Sequence, residues 1–366
     1  MMAGLRITVL GLSITSSWGN GHATTWRALL TALAARGHAI TFLERDVPWY
    51  RAQRDLPRAD SCRIALYRDL AELRRRFAAT VANADVVVVG SYVPDGVAVA
   101  HWVQAVAGGV LAFYDIDTPV TLAKLARGDH EYLAPELIPG FDLYFSFAGG
   151  PTLRRLEQQF GARRARALYC AVDPAIYRPL GLPERFALGY LGTYSVDRQP
   201  TVERLLIEPA RALPEQGFVV AGPQYPEDLA WPGNVLREDH VPPERHPEFY
   251  NRLRFALNVT RADMILAGWA PSVRLFEAAA CGVPIVSDAW PGLEELLTPG
   301  REILIAHGAA DVVRYLREIG PHERRAIAAA ARARVLVAHT AAERAREFEG
   351  EVLAVGASAR RLAAGA

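Results

Sequence analysis

The chain has 366 residues, long for one core and comfortable for two domains. Half of it is apolar (51%), about a fifth is charged (22%) and the formal charge is +1, as in an ordinary globular enzyme and without the basic stripe of a nucleic-acid binder. Cys62, Cys170 and Cys281 are scattered, with no CxxC or Cys/His spacing. That excludes a disulfide framework and a zinc site and fits reduced thiols in a cytoplasmic protein.

The opening "MMAGLRITVLGLSITSS" has too short an apolar run, and no small-residue cleavage site, for a secretory signal. Short apolar runs follow: "RITVLGL" (6–12), "HAITFLE" (38–44), "DVVVVGS" (85–91), "GVLAFYD" (109–115), "DLYFSF" (142–147) and "ARALYC" (165–170). Continuous Val/Ile/Leu/Phe runs without strict alternation suit strands buried on both faces of a parallel sheet. Helical patterns such as "ATTWRALLTALAAR" separate them, giving a βαβ rhythm. The apolar stretch 96–114 is broken by His101, Gln104 and Gly108–Gly109, so it reads as a helix and a strand, with no integral membrane segment.

Within this half, "SWGNGHATT" (17–25) is a glycine-bearing loop entering a helix. Gly19 and Gly21 are followed by Thr24, so the G-x-G-x-x-G spacing of a dinucleotide cofactor is absent and no cofactor is expected. "FYDIDTPVT" (113–121) places Asp115 and Asp117 in a D-x-D pair. That spacing is common by chance and no metal is expected there; Asp117, ahead of Pro119, also suits an N-cap. Trp49 and Tyr50, in "RDVPWYRAQRDLPR" (45–58), could stack on a sugar or simply pack.

Three prolines in "AVDPAIYRPLGLPER" (171–185) interrupt the rhythm and mark a linker. The alternation restarts with "FALGYLG", a helix through 201–212, "FVVAG", "NVLRE", a helix near 243–253 and "RFALNVT". Then comes "PSVRLFEAAACGVPIVSDAWPG" (271–292). Ser272 is a good N-cap, and Gly282 with Pro284 a plausible stop. The amides of Val273 and Arg274 lie where a helix attracts phosphate. Glu277 follows five residues past the cap, about 7–8 Å along the axis, close to the diphosphate-to-ribose offset of a nucleotide. A lone buried carboxylate costs several kcal/mol, so Glu277 needs either two ribose hydroxyls or an i,i+3 ion pair with Arg274.

"PSVRLFEAAACGVPIVSDAWPGLEELLTPGREI" resembles the donor-site signature of group 1 glycosyltransferases, and most of all their CgeB-like, spore-maturation-like branch. "YCAVDPAIYRPL", "LGYLGTYSVDRQP", "FYNRLRFALNVTR" and "GLSITSSWGNGHATTWRALLTALAARGHAITFLERD" resemble other segments of that family, in patches from about 11 to 306. The resemblance implies an α/β GT-B fold: two Rossmann-like doubly wound domains facing a central cleft, with the C-terminal helix crossing back to the first. The expected domains are 1–178 on the acceptor side, 179–336 for the nucleotide sugar, and a returning helix over 337–366.

The donor would then rest on Glu277 at the ribose and on Ser272, Val273, Arg274, Arg198 and Arg261 at the diphosphate. Gly192, Tyr194 and Gly222 would line strand ends, and His240 and Val241 in "EDHVPP" would lie over the base. Gly19, Gly21 and His22 would face the reacting centre. Asp117, with Asp115, would steady a developing oxocarbenium ion, as carboxylates do in glycosidases. One departure stands out: Trp269 occupies the position, eight residues before Glu277, where the family commonly has a sugar-binding acid. The implied activity is metal-independent, retaining transfer of a sugar from a nucleotide-diphospho-sugar donor to a hydroxyl of unspecified identity. A nucleotide-sugar 2-epimerase of the same fold and a non-catalytic, coat-associated binding protein are the alternatives.

Overall fold

A computed structural model describes residues 4–364, with side chains through 356. The chain divides into two compact units, 1–171 with 341–366, and 172–340. These limits differ from the expected 178 and 336. The proline-rich segment after Ala171 is tied to the second unit, by Val172 N–H on the His339 carbonyl and by Asn251 on the Arg178 carbonyl.

The first unit holds seven parallel strands: β1 (Arg6–Gly11), β2 (Ala39–Arg45), β3 (Arg63–Tyr67), β4 (Val86–Gly90), β5 (Val110–Asp115), β6 (Leu143–Ser146) and β7 (Ala165–Ala167). Their order is β3-β2-β1-β4-β5-β6-β7. Every residue of β4 is buried, which explains its unbroken valines. β3 is the strand the sequence pattern does not announce. It lies at the sheet edge, begins on exposed Arg63, and buries only Ala65 and Tyr67. The helix Ala341–Ala364 belongs to this unit and packs on the helix Gly21–Ala35. Phe348 stacks on Phe145 with ring centroids 5.2 Å apart, and Arg36 pairs with Glu349.

The second unit has six parallel strands: β8 (Phe186–Leu191), β9 (Phe218–Ala221), β10 (Val235–Glu238), β11 (Leu253–Asn258), β12 (Ile285–Ser287) and β13 (Leu304–Ile305). The order β10-β9-β8-β11-β12-β13 is doubly wound. Its core joins Leu188, Phe218, Phe255 and Val286 to Leu205 and Leu206. Those leucines come from the helical stretch 199–212, which contains a π-type turn at Glu203–Ile207 just before Pro209, a residue with no amide to donate. In such sheets ligands sit beyond the carboxyl ends of the strands, where the order reverses. That point lies between β1 and β4 in the first unit, and between β8 and β11 in the second.

Candidate functional site

In the second unit the reversal point is occupied by Arg274. Its guanidinium donates to the carbonyls of Leu191 and Val259 and to Asn258 Oδ1, at the ends of β8 and β11, and to Ser272 Oγ at 2.7 Å. Behind it lies a satisfied polar network. Asn258 donates to Ser287 Oγ at 2.9 Å, and the Asp288 carboxylate accepts from the Thr260 N–H (2.8 Å) and hydroxyl (2.7 Å). Burial lifts the Asp288 carboxyl above its ordinary range, against the pull of those donors.

Arg198 is the second cation. It is 8% exposed, and its guanidinium donates to Ser195 Oγ and the Thr193 carbonyl, both neutral. Burial lowers its pKa, and the neighbouring Arg274 and Arg261 lower it further. Asp197, exposed beside them, accepts from the Ala262 N–H. Two guanidiniums whose hydrogen bonds all go to neutral oxygens, with the Asp197 and Asp288 carboxylates near them but not bonded to them, make a positive site that suits an anion. The Tyr190 hydroxyl lies in the same place, buried and without a hydrogen-bond partner among the described residues. A Cβ on Gly192 would stand 2.6 Å from that hydroxyl and 3.1 Å from Arg274 Nη2, so only glycine fits between them. Gly222, at φ +144°, is held as closely: a Cβ there would meet the Gly192 carbonyl oxygen at 2.1 Å. Tyr194 packs edge-on against Tyr225, whose ring also carries Arg237.

Ser272 caps the helix Val273–Ala280, accepting from Arg274 N–H at 3.3 Å. Three residues on, Glu277 is 3% exposed, and its carboxylate does not pair with Arg274. The i,i+3 ion pair, the alternative reading of Glu277, does not form: the guanidinium turns to the strand ends, while the carboxylate points to Tyr250 and His246. The Tyr250 hydroxyl donates to Oε2 at 3.0 Å, and His246 Nδ1 stands 3.8 Å from the same oxygen. Burial works against the charge, yet His246, Tyr177 and Tyr250 together hold the carboxyl below its ordinary range. Val241 is buried and its carbonyl meets His246 Nε2 at 3.1 Å; His240 is half-buried beside it. Trp269 sits at φ +46°, and its N–H donates to the Pro291 carbonyl at 2.7 Å. Its ring fills the space over Gly292, where a Cβ would come within 2.5 Å of it.

In the first unit the loop after β1 is tied to Glu44, at the end of β2. That buried carboxylate accepts from the hydroxyls of Ser13 and Thr15 and from the amides of Ile14 and Thr15. Asn20 then caps the next helix by accepting from His22 N–H at 3.1 Å. These bonds fix His22, whose Nε2 lies 3.3 Å from Asp117 Oδ2, joining residues far apart in sequence. Asp117 stands at the N-cap position of Thr118–Ala126, but its side chain makes no cap bond there. Asp115 does not join the pair. It is wholly buried, accepting from Tyr144 (2.6 Å) and Thr121 (2.7 Å), so the expected contact with a reacting sugar is closed to it. Burial raises its pKa to about 6, despite those two donors. Gly19 and Gly21 are exposed, with Gly19 at φ +60°. Among the described residues no group of three His, Cys, Asp or Glu could hold a metal, and no helix is long and apolar enough to cross a membrane.

Tyr250, His246, Tyr190, Asn258 and Asp288 carry much of the second unit's site, and sequence reasoning passed over their roles. "FYNRLRFALNVT" was the available signal, but nothing in its spacing says that its tyrosine reaches a carboxylate 27 residues later.

The fold is that of the GT-B glycosyltransferases. Sucrose-phosphate synthase from Thermosynechococcus elongatus aligns over 99% of this chain and 100% of its own, with TM-score 0.67 and 16% identity. Anabaena Alr3699/HepE in complex with UDP-glucose aligns over 96% and 100%, at 0.70 and 14%. The UDP-forming α,α-trehalose-phosphate synthase from Burkholderia xenovorans aligns over 95% and 100%, at 0.68 and 12%. The sequence itself narrows the class: residues 198–350 match the family model described as "Glycosyl transferase-like". Residues 198–350 are thus similar to a glycosyltransferase-like family, on a GT-B fold. No curated protein matches the sequence.

Proposed function

We propose that the protein transfers a sugar from a nucleotide-diphospho-sugar to a hydroxyl acceptor, without a metal ion and with retention at the anomeric carbon. The observation that carries this reading is the pair Arg198 and Arg274, bonded to neutral oxygens at the reversal point of the second sheet. A diphosphate would supply the missing negative charge, aided by the Val273 amide at the helix start and by Arg261. Those cations would also stabilise charge growing on the leaving group as the glycosidic bond breaks. The ribose would meet the Glu277 carboxylate, whose Oε2 already takes the Tyr250 hydroxyl, with His246 and Tyr177 beside it. The base would lie by Gly222 and the segment His240–Val241. UDP is the first nucleotide to test, because a structurally similar protein binds UDP-glucose. The donor-helix sequence supports placement in the CgeB-like branch, and three buried cysteines outside any disulfide support a cytoplasmic setting.

Under retention, the bond from the anomeric carbon to the phosphate oxygen breaks, the acceptor oxygen bonds on the same face, and the acceptor proton passes to the departing phosphate. Asp117 would steady the oxocarbenium-like transition state. The contact of His22 with Asp117 favours a second reading, in which His22, oriented by the carboxylate, takes the acceptor proton and the configuration inverts. Incubation with UDP-glucose and related donors, following UDP release and the anomeric NMR signal of the product, tests both. Asp117→Asn should lower kcat about 10²-fold or more and leave UDP affinity intact. Recovery of a 2-epimerised donor, or nucleotide binding without turnover across broad acceptor panels, would replace transfer by one of the alternatives.

A further inference from the structure

One histidine joins three segments of the second unit that are otherwise distant in sequence. His246 Nε2 lies 3.1 Å from the Val241 carbonyl oxygen, which can only accept, so Nε2 donates there. Nδ1 therefore faces inward. It lies 3.2 Å from the Tyr177 hydroxyl, in the segment that follows Ala171, and 3.8 Å from Glu277 Oε2 on the donor helix. Tyr250, four residues along the same short helix His246–Asn251, donates to that same Oε2. The terminal torsion of a glutamate is broad unless neighbouring groups hold its oxygens. Tyr250 holds Oε2 by a hydrogen bond, His246 stands within ion-pair distance of the same oxygen, and that one imidazole also fixes the carbonyl of Val241.

We infer that His246 is a positioning residue for nucleotide binding, holding the Glu277 carboxylate and the Val241 segment in mutual register so that ribose and base are met together. This rests on the donor reading above. Two substitutions separate the halves of the role, because Gln places its amide near the position of Nε2 and Asn places its amide near that of Nδ1. His246→Gln keeps a donor for Val241 and loses the Glu277 side; His246→Asn does the reverse.

The test measures UDP affinity by calorimetry, and KM and kcat with UDP-glucose, in both variants and in the Glu277→Gln background. Each single variant should raise the UDP Kd and the donor KM about fivefold and leave kcat within twofold, a split that general loosening of the fold would not give. On Glu277→Gln, His246→Gln should add less than twofold, because its effect runs through that carboxylate, whereas His246→Asn should keep its own effect. Unchanged Kd in folded variants overturns the inference, as does full additivity of His246→Gln with Glu277→Gln. If Arg198→Met weakens UDP binding and the His246 variants do not, this inference falls alone. If the wild type binds neither UDP nor UDP-glucose, both readings fall.

Discussion

Replacing Arg198 by methionine keeps most of the aliphatic stem and removes the charge. In the free protein the guanidinium is 8% exposed and bonded to Ser195 Oγ and the Thr193 carbonyl. Losing those two charge-assisted bonds costs about 1.5–3 kcal/mol each. Against that stands relief from holding a cation out of water beside Arg274 and Arg261, the surroundings that lower its pKa. The two effects oppose one another, so free Arg198→Met should melt within about 4 °C of wild type. In the nucleotide complex the balance is one-sided. A charge-assisted bond to a diphosphate contributes about 1.5–3 kcal/mol, so UDP should bind roughly 10- to 150-fold more weakly. Differential scanning fluorimetry with and without UDP, followed by calorimetry, reads both quantities. The reasoning is refuted if the free variant melts many degrees lower while UDP still raises its melting temperature as in wild type. Arg198 would then be a structural cation holding the loop 193–195.

Glu277→Gln should also shrink the UDP-induced shift while leaving UDP binding measurable, and its acid limb gives a further check. The folded carboxyl lies below its ordinary value, so its contribution is present above about pH 4.3, the unfolded value, and fades as pH falls through the folded one. The stability difference between wild type and Glu277→Gln should therefore shrink in acid denaturation series below about pH 4. Asp115 has the opposite sign: its pKa is raised to about 6 from 3.8. Its protonated form stabilises the fold below the unfolded value, and that advantage is lost as pH rises through about 6. Urea titrations should show wild type losing about 2 kcal/mol relative to Asp115→Asn between pH 4 and 7. Gly292→Ala puts a Cβ within 2.5 Å of the Trp269 ring at φ +88°. It should destabilise by about 1–3 kcal/mol and shift the tryptophan fluorescence; an unchanged spectrum would show that the ring is not held there.

Much of the architecture was written in local pattern. Unbroken valines in β4, the Ser272 cap and the glycine stop after Ala280 depend on neighbours within a few residues, so burial on two faces and helix ends can be read from the chain. β3 escaped because an edge strand with an exposed arginine start carries a weak apolar signal. The acidic residue at 277 was conspicuous in sequence, since a carboxylate among alanines, Leu275 and Phe276 must have a partner. Which partner was beyond local reasoning. Arg274, three residues away and on the same helix, was the available choice by spacing. Only the three-dimensional arrangement turns that guanidinium to the ends of β8 and β11, and brings Tyr250 and His246 up to the carboxylate instead. The meeting of His22 with Asp117, and the sealing of Asp115 two residues away, were decided in the same way. Periodicity records which face of an element is buried. The choice of partner for a charged side chain is made by strand order and loop path, which bring together residues that no local pattern relates.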